Sequence, residues 1–429
     1  MPPKAVKKDY GLADDAGLSL EPEPWMEYFE KKLRLLCKQT NIQPPSELVY
    51  TIKQVAETED KERKGLPFEQ LVITTQTQPE QLSSIFTVFM QLATPYIYLK
   101  KIVLKDIVLN EANVELMMNF LAKQKSVTSL TLNNNQLIPA AFRILFAELG
   151  RSGIINLKIV ENPICNEVLV NAGVQIEKCA ARALKAAQDQ IADAIKVHKE
   201  ELEKQAQLKT KPKKAKKQKG PEMWQMKPED VFPSFYVFQT LQLEYCNIQR
   251  HHAAALSVFL SKAAPFLSAL SLKGNQIGNE GLAAIGHAFE ECADRYIGQS
   301  IPNEHPIERE SYIGCRFIKL QQLDLTCNLI GGDEEEPFKQ FGCGVMQAGN
   351  LKDISFSQNG IEKNLKWLIT GFQKQVALTK VFVPDTCYLT EVQELMTILK
   401  THKKKCDDVA KQLKKIQKDS KKKKPAAAV

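Results

Sequence analysis

The residue types that most often do chemistry are sparse in this chain, and their spacing points away from a catalytic centre. The one pair of adjacent histidines is His251-His252. Neighbouring helical positions point about 100° apart, so these rings do not converge on one metal. No H-E-x-x-H accompanies them, and the pair reads as a solvated helix start. Gly342-Cys343-Gly344 begins like a phosphate-cradling turn, but no third glycine follows at the right place, and no G-x-x-x-x-G-K-[ST] occurs. Asp333-Glu334-Glu335-Glu336 has the charge to attract a cation. It lacks the alternating spacing of a calcium loop and reads as an exposed acidic turn. Ten cysteines lie at 37, 165, 179, 246, 292, 315, 327, 343, 387 and 406, with no C-x-x-C pair. Such scatter fits reduced thiols in a cytosolic-type compartment better than a disulfide framework or a zinc site. Among six histidines nothing points to a Cys-His or Ser-His arrangement. The expectation is a protein that is not an enzyme and needs no metal or cofactor.

The chain has 429 residues, which suits one elongated domain or two compact ones. Hydrophobic residues make up 44% and charged residues 25%, so a mainly disordered or collagen-like chain is excluded. No stretch approaches the ~20 apolar residues of a membrane helix. Met-Pro-Pro-Lys-Ala-Val-Lys-Lys has no apolar run behind it, so no secretory signal is expected. The net charge of +8 is unevenly placed. Residues 195–220 hold ten Lys and three Glu, and residues 401–429 hold eleven Lys and three Asp. These segments carry +7 and +8, which leaves −7 on the rest of the chain. A nucleic-acid-binding fold carries its basic residues on the folded surface instead.

What positions the remaining polar residues is a repeat: apolar, two variable, apolar, one variable, apolar, two variable, Asn or Cys, one variable, apolar. Val127, Leu130, Leu132, Asn135, Leu137 fit it, as do Leu267, Leu270, Leu272, Asn275, Ile277. So do Leu320, Leu323, Leu325, Asn328, Ile330 and Leu351, Ile354, Phe356, Asn359, Ile361. Ile154, Leu157, Ile159, Asn162, Ile164 also fit, and Phe238, Leu241, Leu243, Cys246, Ile248 place Cys where Asn stands elsewhere. Weaker copies begin at Leu99 and Leu378, and Phe68, Leu71, Ile73, Gln76 open the array. Successive starts differ by 31, 28, 27, 84, 29, 53, 31 and 27 residues. The clustering of six steps near 28 marks a true repeat.

Each x-L-x-L core predicts a short strand whose alternate side chains point inward. The Asn amide is suited to bond buried backbone groups in the turn that follows. Ile277, Leu282, Ile285 and Phe289 lie near helical spacing, so the chain returns as a helix. One unit cannot bury its apolar edge alone, and stacked units share a core. The pattern resembles the leucine-rich repeat, over about residues 66–171 and 231–390. Its length and helical return are similar to the ribonuclease-inhibitor-like class. The resemblance implies an α/β solenoid or horseshoe, with parallel strands on the concave face, helices on the convex face and a helical N-terminal cap.

The organisation expected is an extension and cap over 1–65, with helices at Trp25 to Cys37 and Glu47 to Glu57. A first repeat block covers 66–171, an insertion covers 172–230, a second block covers 231–400, and a Lys-rich tail covers 401–429. In the insertion, Ile176, Ala180, Leu184, Ala187, Ile191 and Ile195 predict an amphipathic helix from about 172 to 208. Residues 209–219 follow with seven Lys and no acid, too self-repelling for an ordered helix. Residues 294–317 read as an inserted loop. Leu389 to Leu399 reads as the last helix, continued by Val409, Leu413 and Ile416 and fraying at Lys421 to Lys424.

The concave face is the usual binding surface of a solenoid. Its central positions are Val72, Val103, Thr131, Lys158, Gln242, Ser271, Asp324, Ser355 and Phe382, flanked by Asn133, Glu244, Lys273 and Thr326. This mixed face suits a protein or peptide and lacks the basic, aromatic stripe a nucleic acid requires. Lys158, Gln242, Glu244, Lys273 and Asp324 are the candidate contacts. In the Lys-rich runs the candidates are Lys213, Lys214, Lys216, Lys217, Lys421, Lys422, Lys423 and Lys424. The helical cap, the broken repeat array, the Lys-rich insertion and the Lys-rich tail are together similar to leucine-rich-repeat proteins of motile cilia and flagella. That resemblance implies a scaffold in the axoneme, a cytoskeletal site, with the Lys runs against acidic surfaces such as tubulin. The repeat class also implies a second reading, a cytoplasmic or nuclear regulator of a small GTPase or ribonuclease.

Overall fold

The computed structural model describes residues 33–35, 37–39, 41, 43–44, 49–50, 69–74, 82–85, 99–208, 238–300 and 304–422. Among them, nine short parallel strands follow one another in a single open sheet in chain order, with helices between them. The fold is an α/β leucine-rich-repeat solenoid. Contacts divide the chain into two compact units, residues 1–164 with 241–247, and residues 165–240 with 248–429.

The first unit holds β1 (Gln70–Ile73), β2 (Lys101–Lys105), β3 (Ser129–Asn133), β4 (Asn156–Val160) and the body of β5 (Thr240–Glu244). Parallel pairing aligns Leu71, Ile102, Leu130 and Leu157 in one row and Ile73, Leu104, Leu132 and Ile159 in the next. All eight are buried, while the residues between them are partly exposed. Helix α1 (Glu111–Lys123) follows β2. Asn110 caps it, its side chain accepting a bond from the Asn113 N–H at 2.9 Å. Helix α2 (Pro139–Glu148) opens on a proline, whose missing N–H costs nothing in the first turn. The two helices bury Met117, Phe120, Phe142 and Phe146.

Each repeat is locked to its neighbour by the Asn position. Asn162 accepts bonds from the N–H groups of Asn135 and Leu137 and donates to Leu132 O at 3.3 Å and Val160 O at 2.8 Å. The turns around it force non-glycine residues into the left-handed region: Asn134, Gln136, Glu161, Tyr245 and Asn247 have φ between 49° and 55°. Cys246 stands at an Asn place, is fully buried, and has its one S–H within reach of Glu244 O at 3.3 Å and Ile159 O at 3.5 Å.

The second unit begins with α3 (Asn166–Leu208), six residues earlier than the periodicity predicts. Its first half packs on the unit. Gly173 lies against the backbone of Phe259 in α4 (Ala253–Ala263), and Glu177 pairs with Lys262 at 2.8 Å and Arg295 at 3.5 Å. Past Ile191 the apolar residues emerge, and Val197 and Leu202 are more than half exposed.

Strands β6 (Ala269–Ser271), β7 (Gln322–Asp324), β8 (Asp353–Ser355) and β9 (Lys380–Phe382) pair in parallel and align Leu270, Leu323, Ile354 and Val381. Here Asn275, Asn328 and Asn359 are the buried amides. The weak copy at Leu378 departs from the pattern, since Thr386 and Tyr388 are exposed. Helices α5 (Gly278–Arg295), α7 (Glu336–Gln347) and α8 (Leu365–Phe372) return behind these strands. Gly342-Cys343-Gly344 is thereby explained. It is helical, and a Cβ on Gly344 would strike the Gly286 backbone, while one on Gly371 would strike Gly342. These glycines let three helices approach closely and cradle no phosphate.

The insertion expected as a loop over 294–317 contains helix α6 (Pro306–Ser311). His305 caps it, its Nδ1 accepting from Ile307 N at 3.2 Å, and Glu308 reaches back to His305 N. Helix α9 (Leu389–Lys422) runs unbroken through residue 401, where the tail was expected to begin. His402 explains the continuity. It is 3% exposed, with Nδ1 3.0 Å from Leu378 O and Nε2 3.3 Å from Gln373 O. Only fragments of the expected cap are described. Residues 33–35, 37–39 and 49–50 are helical, with Leu33 and Cys37 buried. The rest of the cap, Phe68, Gln76, residues 209–219 with their four candidate lysines, and Lys423 and Lys424 lie outside the described residues.

Candidate functional site

In the first unit the solvent side of the sheet is presented by Val72, Val103, Thr131, Lys158 and Gln242, because their strand neighbours point inward. Lys158 and Glu244 are not independent contacts. Lys158 Nζ lies 2.7 Å from Glu244 Oε2, with the side chains 38% and 14% exposed. The two charges neutralise each other, and the surface they offer is a polar but uncharged ridge beside Gln242. Tyr245, in the turn that follows, is left-handed and 47% exposed.

In the second unit the same register builds a connected polar row. Ser271, Asp324, Ser355 and Phe382 are mutual neighbours on β6 to β9. Ser271 Oγ donates to Asp324 Oδ2 at 3.3 Å, and the Thr326 N–H donates to Asp324 Oδ1 at 2.9 Å. Thr326 and Ser355 hydroxyls lie 2.8 Å apart, and Ser355 Oγ donates to Ser357 Oγ at 3.4 Å. The Lys273 N–H reaches Ser271 Oγ at 3.4 Å. Asp324 is thus already anchored by its neighbours, and the row ends on Phe382, 55% exposed. Sequence reasoning missed Leu329, 67% exposed in the turn after β7. The signal was readable, because Leu329 sits at a variable place between Asn328 and Ile330, where the core asks for no apolar residue.

The chemistry-bearing residues are mostly absorbed by structure. The expected solvated His251-His252 pair is half wrong. His252 is buried, and its Nδ1 accepts from Gln249 N at 2.9 Å. Burial, then the charge of His251, holds its pKa below the usual value. The acidic turn is exposed as expected, with Asp333 2.6 Å from Lys363 and Glu335 3.0 Å from Lys339. Burial pushes the thiols of Cys246 and Cys292 up to about 12, so both are inert at neutral pH. Among the described residues no group of three His, Cys, Asp or Glu is placed to hold a metal. No helix among them is long and apolar enough to cross a membrane.

The insertion adds a cleft of about 660 Å³. Tyr296 stacks on Phe317 at 4.6 Å in it, and Arg316 lies over Tyr312 at 4.7 Å. Arg309 and Arg316 share the nearly buried Glu304, at 3.7 and 3.3 Å. The cleft therefore binds its own charges.

The repeat, the parallel strands and the buried Asn ladder define a leucine-rich-repeat solenoid. No family model matches the chain, and no curated protein matches it. Among solved structures it is similar to the leucine-rich repeat-containing protein LegL7 from Legionella pneumophila, at 13% identity and a TM-score of 0.35. That likeness covers 77% of this chain and 90% of the other, and at this level it says nothing of what the chain binds.

Proposed function

We propose that this chain is a non-enzymatic scaffold for protein–protein interaction, a structural component of the ciliary or flagellar axoneme. The observation that carries the scaffold reading is the row on β6 to β9, where fixed hydroxyls and one carboxylate end on the exposed ring of Phe382. Pre-set polar groups beside an exposed aromatic are what a protein partner recognises. In this reading Lys273 and Asp324 belong to the contact on the second unit, while Gln242 beside the Lys158–Glu244 pair is a separate contact on the first. The Lys-rich segments, including Lys213, Lys214, Lys216, Lys217 and Lys421 to Lys424, meet an acidic surface such as tubulin.

The axonemal placement rests on the looser similarity of the helical cap, the interrupted array and the Lys-rich segments. The test is to tag the endogenous protein in ciliated cells and extract with detergent. Retention on the axoneme, and crosslinks from the β6–β9 face to a neighbouring protein, are the expected results. A signal entirely in the soluble cytoplasmic or nuclear fraction refutes the placement.

A further inference from the structure

The lysines of α9 other than Lys405, which stands about 80° outside it, form a stripe. At about 100° per residue, Lys403, Lys404, Lys411, Lys414, Lys415 and Lys418 fall within an arc of about 120° on the helix. All six are exposed, and the register continues to Lys421 and Lys422. Asp407 is the one acid inside the arc, and Asp408 and Asp419 lie at its rim. Asp408 is 3.4 Å from Lys411. The opposite side of the helix carries Cys406, Val409, Leu413 and Ile416.

The helix is fixed at its base. His402 and Val409 are buried, and Cys406 Sγ donates to Val376 O at 3.4 Å. From Ala410 to Asp419 no residue is buried. The stripe runs from Lys403 to Lys422, about 28 Å at 1.5 Å per residue.

We infer that α9 is a docking site for an extended, Glu- and Asp-rich polypeptide lying along this stripe. The inference rests on the reading that the Lys-rich tail meets an acidic surface, and it names the geometry and the kind of partner. Three observations favour a peptide over other polyanions. Residues 401–429 contain no Arg, Trp, Tyr or Phe, so there is nothing to stack on bases or to grip phosphates bidentately. The apolar side of α9 is partly spent on the folded unit and lacks an aromatic, which a helix lying in a membrane interface uses. The chain outside its two Lys-rich segments carries −7 and repels a bulky duplex, whereas a thin acidic peptide reaches the helix alone.

The test uses the full chain and a fluorescent 20-residue Glu-rich peptide at low salt. The decisive variant keeps composition and net charge but moves lysines off the stripe: Gln412→Lys with Lys414→Gln, and Lys418→Ser with Ser420→Lys. Two exposed ion pairs predict about twofold to thirtyfold weaker binding, an effect that salt near 1 M erases. Circular dichroism checks that the helix persists. A truncation after Ala410 should remove most of the binding. If the rearranged variant binds like wild type while the truncation does not, bulk charge alone holds the ligand and the stripe is refuted. If neither matters, the tail makes no acidic contact, and the broader reading of the Lys-rich tail fails with it. Tighter binding to duplex DNA or to anionic vesicles than to the peptide overturns the assignment of partner class.

Discussion

Replacing Asn359 by Ala tests the repeat lock where its bonds are most completely described. The side-chain oxygen accepts from Asn328 N at 2.9 Å and Ile330 N at 3.2 Å. Its amide donates to Leu325 O at 2.8 Å and Phe356 O at 3.0 Å. Asn359 is 8% exposed, so little water replaces these bonds. Two orphaned N–H groups at about 1–3 kcal/mol each predict a loss of about 2–6 kcal/mol. For a unit of this size each kcal/mol lowers Tm by about 2–4 °C, so the fall should be about 4–24 °C. Asn359→Asp keeps the acceptor and loses the donor, and should fall between wild type and Ala. Thermal unfolding gives the total, and amide hydrogen exchange locates it. Asn328 and Ile330 should lose protection first, because their N–H groups lose their partner. An Ala variant with unchanged Tm and unchanged protection at 328 and 330 would falsify the lock.

Leu329 holds φ 56° and exposes most of its side chain, so Leu329→Gly should stabilise by about 1 kcal/mol in chemical denaturation; a destabilised variant would assign that leucine to the core. Gly344→Ala should cost about 1–3 kcal/mol by pushing α7 off Gly286, and an unchanged melting curve would contradict that close approach. Cys343 is exposed and should react with an aqueous thiol reagent at pH 8, whereas Cys246 and Cys292, held near 12 by burial, should react only on unfolding; mass spectrometry of labelled peptides decides. Because His252 is held below the ordinary histidine value of 6.5, the unfolded chain binds more protons there; its contribution is full above pH 6.5 and is lost as pH falls toward the depressed folded value. His252→Gln should therefore flatten the fall in Tm between pH 7.5 and 5.5, and an identical slope would remove His252 as its source.

The strands were legible because the repeat dictates them. An inward Leu or Ile at every second place, and an Asn three residues later, fix which face of each strand is buried. The periodicity also found α3 but was begun six residues late, although the buried Leu169 and Ala172 continue the stepping of Ile176 and Ala180. Helix α6 was legible in principle, as His305-Pro306-Ile307-Glu308 is a cap, a first-turn proline and an acid at the third place. The pairing of Gly286 with Gly344 was not, since nothing in the sequence says which helix faces which. The site was the least legible part. Lys158 and Glu244 stand 86 residues apart, and Ser271 and Asp324 stand 53 apart. Residue types placed all four on the concave face and named Lys158, Glu244 and Asp324 as contacts, but only the folded chain shows that they partner one another.

Helix α9 also has a mechanical consequence. At 34 residues it is a stiff rod about 50 Å long, held along its first half by the buried Leu395, Leu399 and His402 and last by Val409. A sideways pull on residues 410–422 turns it about His402, Cys406 and Val409, with an arm of about 20 Å beyond the last buried residue. The carbonyls that resist are those of Gln373, Val376 and Leu378, all in the turn between α8 and β9. Tension on the tail therefore reaches, through these carbonyls, the segment that leads into β9 at the end of the sheet.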